Sequence, residues 1–316
     1  MKILVNEGIS NSGKELLESK GYEVMVMRVA QEQLTNFINT HNISILLVKN
    51  NTKISKEVVD ACPTLELIGI GGDNFSNLDL AYIKSKGIAV IKTPTAAANA
   101  VAELVFAHLL GMVRYLHDSN RQMPLEGDLR FKELKQYYAK GTELKGKTIG
   151  IVGTGNTGKA VAKIALGLGM KVLMNNKNGS DTNISISYFD GQEVNFSFKS
   201  NPLSSLLQDS DFITLHTPSL SQHLIGEAEL RLMKKGVGII NTATGGVLDE
   251  VALINFIEGK HVAYAALDVY ETEPNPEIQL LMNPELSLSP HIGGATIETQ
   301  ERMGVELANQ IIKHYE

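Results

Sequence analysis

The segment 147–158, KTIGIVGTGNTG, constrains the fold more tightly than any other part of this 316-residue chain. An apolar run ends in glycines spaced G-x-G-x-x-G. A helical pattern begins at once, with Val161, Ile164, Ala165 and Leu168 at i, i+3, i+4 and i+7. Gly153 suits the tight strand-to-helix turn. Gly155 removes a side chain where a pyrophosphate must approach the backbone, and Gly158 lets the helix pack close to its strand. The helix N-terminus faces the phosphates with free N–H groups. A second apolar stretch, 170–174, follows at the expected distance. Strand, turn, helix and strand therefore agree on a dinucleotide-binding unit rather than a ligand-free glycine turn.

A complete α/β unit precedes this fingerprint. Strand patterns at 2–6, 22–27, 43–49, 65–70 and 88–92 alternate with helix patterns at 12–20, 31–41, 56–61 and 78–86. Such repeats predict a parallel sheet with helices on both faces. A long apolar helix, 97–116, separates the two parts. Residues 123–146 are polar and irregular and read as an excursion from the core, either a subunit contact or a solvated loop. Two alternating stretches, 184–188 and 194–198, flank Asp190-Gly191 and predict a β-hairpin inserted into the nucleotide domain. Strand patterns resume at 212–216, 237–241, 263–268 and 286–289. The helix at 296–314 is expected to return to the first domain.

The length exceeds a typical single core. The predicted fold is α/β, with two doubly wound parallel-sheet domains. A Rossmann dinucleotide-binding domain, 97–290, is inserted into a flavodoxin-like substrate-binding domain, 1–96 plus 291–316. A net charge of −6 and a pI near 5.8 argue against a nucleic-acid surface. No apolar run reaches membrane length, and the opening MKILVN turns polar too soon for a signal peptide. Cys62 is the only cysteine, which excludes an intrachain disulfide and a cysteine metal cluster. A cytoplasmic protein without a metal is the simplest expectation.

Three later segments place polar groups at strand ends, where ligands sit in open α/β sheets: NTATGG at 241–246, ALDVYETEP at 266–274 and SPHIGG at 289–294. His291 lies between a strand end and a glycine pair. Glu273 follows another strand. If the two side chains meet, the carboxylate favours the imidazolium, which suits a group exchanging one proton beside a hydride transfer.

With these motifs, the mid-chain GTGNTG, the Val101-Ala102-Glu103 helix start and Leu215-His216-Thr217-Pro218, the chain resembles the D-isomer-specific 2-hydroxyacid dehydrogenases over nearly its whole length, especially the short-form phosphoglycerate dehydrogenase-like members. The resemblance implies two similar α/β domains with the active site between them, NAD or NADP as cofactor, a small 2-keto or 2-hydroxy acid as substrate, and a homodimer formed through the nucleotide domains. It implies no nucleic-acid or membrane partner. By position, the family's acid/base histidine falls on His291, its partner glutamate on Glu273, and the aspartate near the nicotinamide on Asp268. Cofactor contacts fall on Gly153, Gly155, Asn156, Thr157, Gly158, Asn176, Lys177, His216, Thr217, Pro218, Thr242, Ala243 and Gly293. Substrate contacts fall on Lys49, Asn50, Gly71, Gly72 and Lys92. Long-form phosphoglycerate dehydrogenases add a C-terminal regulatory domain, which a chain ending at Glu316 is expected to lack.

The chain also departs from the family pattern. The family's catalytic arginine, which holds the substrate carboxylate and polarises the keto group, belongs where Thr244 stands. An arginine is usual where this chain has Ile70, at Lys49, and, or a similar residue, at Asn156. The family loop G-x-D-N-I-D is interrupted over residues 70–77. The six arginines, Arg28, Arg114, Arg121, Arg130, Arg231 and Arg302, all lie outside these segments. Lys49 and Lys92 stand at strand ends, either as cationic substitutes or as solvated termini; a lysine offers a point charge, not a planar fork. The usual ribose-binding aspartate is replaced by Asn176, followed by Lys177. That pair either admits a 2′-phosphate or forms a polar turn without preference. An NAD(P)-dependent dehydrogenase with altered activity or substrate is the leading reading. A non-catalytic nicotinamide-dinucleotide-binding or sensing protein is the alternative.

Overall fold

Every residue of Ile45–Val48 and Leu67–Ile70 is buried, as central parallel strands covered by helices on both faces must be. The computed structural model describes residues 1–49, 51–72 and 77–316. They form two compact units, Met1–Ala97 with Ala295–Glu316, and Ala98–Gly294.

The first unit holds β1 (Lys2–Val5), α1 (Asn11–Ser19), β2 (Glu23–Val26), α2 (Leu34–His41), β3 (Ile45–Val48), α3 (Lys56–Ala61), β4 (Leu67–Ile70), α4 (Leu80–Ser85) and β5 (Ala89–Lys92). The strands are all parallel, in the order β2-β1-β3-β4-β5. That is the flavodoxin-like order, with its switch point between β1 and β3. Local chemistry sets the ends. Ser10 accepts the Gly13 N–H to cap α1, and Asn42, at φ 52°, closes α2 in the left-handed conformation. Gln31–Gln33 forms a separate 3-10 turn before α2 rather than part of one helix.

The second unit begins with α5 (Ala98–Val113), α6 (Leu116–Glu126) and α7 (Phe131–Tyr138). Two expectations are corrected here. The apolar helix ends at Val113, because Tyr115 adopts φ 52° and breaks it. The excursion is helical rather than irregular. Its turns are held by Arg130 paired with Glu126 and Glu133 at 2.6 Å each, and Leu134 is the one buried residue of α7. α6 buries no side chain and contains Pro124, which reads from sequence as a helix break.

β6 (Thr148–Val152), α8 (Asn156–Gly167), β7 (Lys171–Asn175), β8 (Thr182–Ser187), β9 (Glu193–Phe198), α9 (Leu203–Asp209), β10 (Phe212–Leu215), α10 (Glu227–Leu232), β11 (Val237–Asn241), α11 (Glu250–Glu258), β12 (Val262–Leu267), α12 (Ile278–Leu281) and β13 (Leu286–Leu288) complete the unit. Its parallel sheet runs β13-β12-β11-β10-β6-β7, a Rossmann arrangement. Beyond β7, where that fold ordinarily adds its third strand, there is among the described residues only a parallel bridge from Met174 to Ser200. The β8–β9 hairpin occupies this stretch of chain. It pairs Ile184 with Phe196 and Ile186 with Val194 on its apolar face, and buries Ile184 in the core that holds Ala160 and Val161 of α8.

α13 (Ile297–Tyr315) belongs to the first unit and packs on α1. The two helices touch at Gly13 and Gly304: a Cβ on Gly13 would lie 2.5 Å from the Gly304 carbonyl. The junctions fall at 97/98 and 294/295 rather than 96/97 and 290/291. Residues 291–294 stay with the second unit because the Ile292 and Gly293 amides bond to Asp268 there. Among the described residues no single helix is long and apolar enough to cross a membrane.

Candidate functional site

The glycine fingerprint opens at the carboxyl end of β6. Gly153 turns with φ +102°, and a Cβ there would meet the His216 carbonyl oxygen at 2.3 Å. A Cβ on Gly158 would lie 2.0 Å from the Gly153 oxygen and 3.3 Å from Ile151 Cγ2, so helix and strand close on each other. A Cβ on Gly155 would meet nothing within 4 Å. Gly155 is also the N-cap of α8. Open space therefore stands before a helix N-terminus, where unpaired N–H groups favour an anion. Asn156 and Thr157 begin that helix.

The neighbouring strand ends carry polar atoms without partners among the described residues. His216 Nδ1, Thr217 Oγ1 and Thr242 Oγ1 are buried and unpaired. His216 Nε2 lies 2.9 Å from Thr214 Oγ1, and desolvation lowers the ring's pKa to about 3, so it is neutral. Buried polar atoms ordinarily find partners. Three unpaired ones beside an anion-favouring turn fit a polar ligand lying across the strand ends, and a dinucleotide has such groups.

After β7, the Asn176 side chain is taken up by its own turn. Its Oδ1 accepts the Asn178 amide at 3.1 Å and its Nδ2 donates to Ser180 Oγ at 2.8 Å. Lys177 is exposed beside it. After β11, Asn241 organises the next turn, accepting the Ala243 amide at 3.1 Å and donating to the Thr244 carbonyl at 3.1 Å. Thr244 is half-buried, with its hydroxyl 3.5 Å from the Thr217 carbonyl.

His291 and Glu273 do meet. His291 Nδ1 lies 2.8 Å from Glu273 Oε2, and Glu273 Oε1 accepts the Tyr270 amide at 3.1 Å. A carboxylate only accepts, so Nδ1 carries the hydrogen and Nε2 is left to exchange a proton. Asp268 fastens the loop that presents His291. It is buried, and it accepts from Ser289 Oγ, the Ile292 amide at 2.9 Å and the Gly293 amide at 2.7 Å. Three of its acceptor sites are thus used by this loop, leaving one on Oδ2.

In the first unit, Lys49 is half-buried at the end of β3. Its Nζ donates to Gln300 Oε1, its stem lies 3.5 Å from where a Gly71 Cβ would be, and burial lowers its pKa against the pull of Glu7. Gly72, at φ +127°, donates to Thr93 Oγ1 at 2.8 Å. Lys92 ends β5, with its carbonyl bonded by Gln310. Asn50 and residues 73–76 of the interrupted loop lie outside the described residues.

Two groups escaped the sequence reading. His108 is buried on α5 between Ser287 and Ser289; its distant partners leave no signal in a local pattern. Glu250, also buried, accepts the Glu271 amide at 2.8 Å while its Oε2 has no partner among the described residues. Burial pushes its carboxyl up to about 7. The nearby Glu271 and Glu277 charges add to this, while the Glu271 amide and His223 oppose it. Folded Glu250 holds its proton to higher pH than the unfolded chain, where a glutamate titrates near 4.5. Stability should therefore fall as pH rises from 4.5 to about 7. The loss is ~3 kcal/mol at most, at 1.36 kcal/mol per pKa unit. Glu250→Gln keeps the acceptor and removes the titration. Urea midpoints at pH 5 and pH 8 should differ less for the variant; equal differences would exclude this account.

Comparison with known proteins bears on the whole chain. Residues 106–293 match the family model described as D-isomer specific 2-hydroxyacid dehydrogenase, NAD binding domain. A hydroxypyruvate reductase of Thermotoga maritima is 35% identical over 99% of this chain and 97% of its own length. A D-3-phosphoglycerate dehydrogenase of Methanocaldococcus jannaschii is 32% identical over 99% of this chain, which spans 57% of that longer protein. A glyoxylate reductase from Paecilomyes thermophila superposes with a TM-score of 0.82 at 29% identity, covering 100% of this chain and 95% of that one.

Proposed function

Because this chain belongs to the D-isomer specific 2-hydroxyacid dehydrogenase family, we propose that it interconverts a small 2-keto acid and its D-2-hydroxy acid, with His291 as the proton-exchanging group. The observation that carries this reading is the 2.8 Å His291–Glu273 pair, in the same unit as the glycine fingerprint. A nicotinamide cofactor, when bound, would supply or accept the hydride. His291 Nε2 gives a proton to the nascent alkoxide in reduction and takes it back in oxidation, while Glu273 accepts from Nδ1–H and so holds the ring in place. Gly155 and the α8 N-terminus would hold the pyrophosphate, and Thr217, Thr242 and His216 would offer their unpaired groups to the cofactor. Lys49, Gly71, Gly72 and Lys92 are the proposed carboxylate-binding groups. Hydroxypyruvate, glyoxylate and phosphohydroxypyruvate are the first substrates to try, by the names of the relatives. Substrate-dependent NADH and NADPH oxidation across a 2-keto acid panel tests the proposal. Tight cofactor binding with no turnover on any acid would favour the second reading, a non-catalytic sensor, for which Thr244 at the family's arginine position speaks.

Cofactor binding is tested separately by calorimetry. A valine at Gly155 fills the space before α8, so Gly155→Val should abolish measurable NADH binding in a folded protein. Cofactor choice follows from Asn176 and Lys177. With an amide rather than a carboxylate at position 176 and the exposed Lys177 ammonium beside it, NADPH should bind about as well as NADH. A Kd for NADPH more than about a hundredfold weaker, a gap of ~2.7 kcal/mol, would rule this out. Asn176→Asp should shift the preference toward NADH.

We further propose a homodimer through α6 and α7, where Leu125, Leu129 and Phe131 are 73%, 85% and 56% exposed.

A further inference from the structure

His108 sits on the buried face of α5 with Ala102, Val105 and Leu109, where apolar packing alone would select an aliphatic residue. Both ring nitrogens are engaged instead. Nδ1 lies 2.8 Å from Ser287 Oγ and Nε2 3.0 Å from Ser289 Oγ, the two serines flanking Leu288 at the end of β13. Ser289 continues the chain to Asp268 Oδ1, and Asp268 holds the amides of Ile292 and Gly293, the two residues after His291.

The direction of every bond follows from the donor inventory. A carboxylate only accepts, so Ser289 spends its single hydroxyl hydrogen on Asp268. Toward His108 the Ser289 oxygen can then only accept, which puts a hydrogen on Nε2. Burial lowers the His108 pKa, with the Asp268 charge opposing, so the ring stays neutral and Nδ1 accepts from the Ser287 hydroxyl. Donation runs Ser287 to His108 to Ser289 to Asp268, each dipole pointing at the carboxylate. Such chains strengthen cooperatively in a dry interior. At their far end His291 stands at φ 55°, a conformation a non-glycine residue keeps only where its surroundings fix it.

We infer that His108, in its Nε2–H tautomer, is a positioning residue: it orders the Ser289 hydroxyl toward Asp268 and thereby fixes the loop that presents His291. The consequence for turnover rests on the assignment of His291 above; the consequence for the loop does not.

Residue-resolved amide hydrogen exchange by NMR reads the loop without substrate. His108→Leu keeps the bulk and removes both nitrogens. Exchange at Ile292 and Gly293 should quicken about tenfold, the effect of one lost buried hydrogen bond, while the β6 amides keep their rates. His108→Gln, which offers one N–H donor and one carbonyl acceptor, should restore protection. With any acid the wild type reduces, His108→Leu should lower kcat about tenfold at unchanged KM for NADH, and His108→Gln should recover most of it. Should His108→Leu fail to fold, Ser289→Ala is read in the same way. Unchanged exchange at Ile292 and Gly293 in a folded variant overturns the inference whatever the activity. Faster exchange in a protein whose wild type binds NADH yet reduces nothing overturns the His291 assignment instead and leaves the positioning of the loop standing.

Discussion

Replacing His291 by alanine should lower kcat for 2-keto acid reduction by about 10²–10⁴-fold, the usual contribution of a positioned acid/base group. The Kd for NADH should stay near that of the wild type, because the glycine turn and the α8 N-terminus are untouched. Glu273→Gln should cost less, since the amide oxygen can still accept from Nδ1 and hold the ring. Full activity in His291→Ala would move proton exchange to another group. A parallel loss of NADH binding would show that the substitution had disturbed the loop held by Asp268 rather than the chemistry.

Restoring an arginine at position 244 should work in the opposite direction. Thr244 cannot neutralise a carboxylate, and its hydroxyl sits 3.5 Å from the Thr217 carbonyl. A charge-assisted hydrogen bond contributes roughly 1.5–3 kcal/mol, and a bidentate pair about twice that. Thr244→Arg should therefore raise kcat/KM on ordinary 2-keto acids by about two to four powers of ten. His291→Ala in that background should remove the gain. High wild-type activity, left unchanged by Thr244→Arg, would show that another cation, with Lys49 the leading candidate, already does the arginine's work. Tight NADH binding with no turnover in either form would favour the sensor reading.

The architecture was legible in the sequence where one physical constraint dominates. Parallel strands buried on both faces must be continuous apolar runs, and Ile45–Val48 and Leu67–Ile70 are. The hairpin was legible from strict alternation around Asp190-Gly191. The helices α6 and α7 were not, because they bury almost nothing and are held instead by charge pairs that a loop could equally well display. At the candidate site, strand ends and glycine pairs singled out His291 and Glu273, but only the fold brings them within 2.8 Å. The roles of Ser289 and His108 were invisible, since the bond between them spans 181 positions. Nothing local distinguishes a histidine on an apolar helix from one that merely fills space.

The first unit is assembled from two stretches of chain separated by the whole of the second. Ile3, Val5, Ile45, Leu47 and Leu67 form one core with Ala308, Ile311 and Ile312 of α13. During synthesis the sheet face that will meet α13 is made first and then waits while residues 98–294 are translated, about 10–40 s at roughly 5–20 residues per second. Throughout that interval the nascent first unit presents an aliphatic face that Leu17 of α1 covers only in part, while the inserted unit contains its own core and can fold ahead of it. The nascent chain should therefore recruit chaperones in a window that closes when α13 clears the ribosome, and substitutions at the Gly13–Gly304 contact should lengthen it.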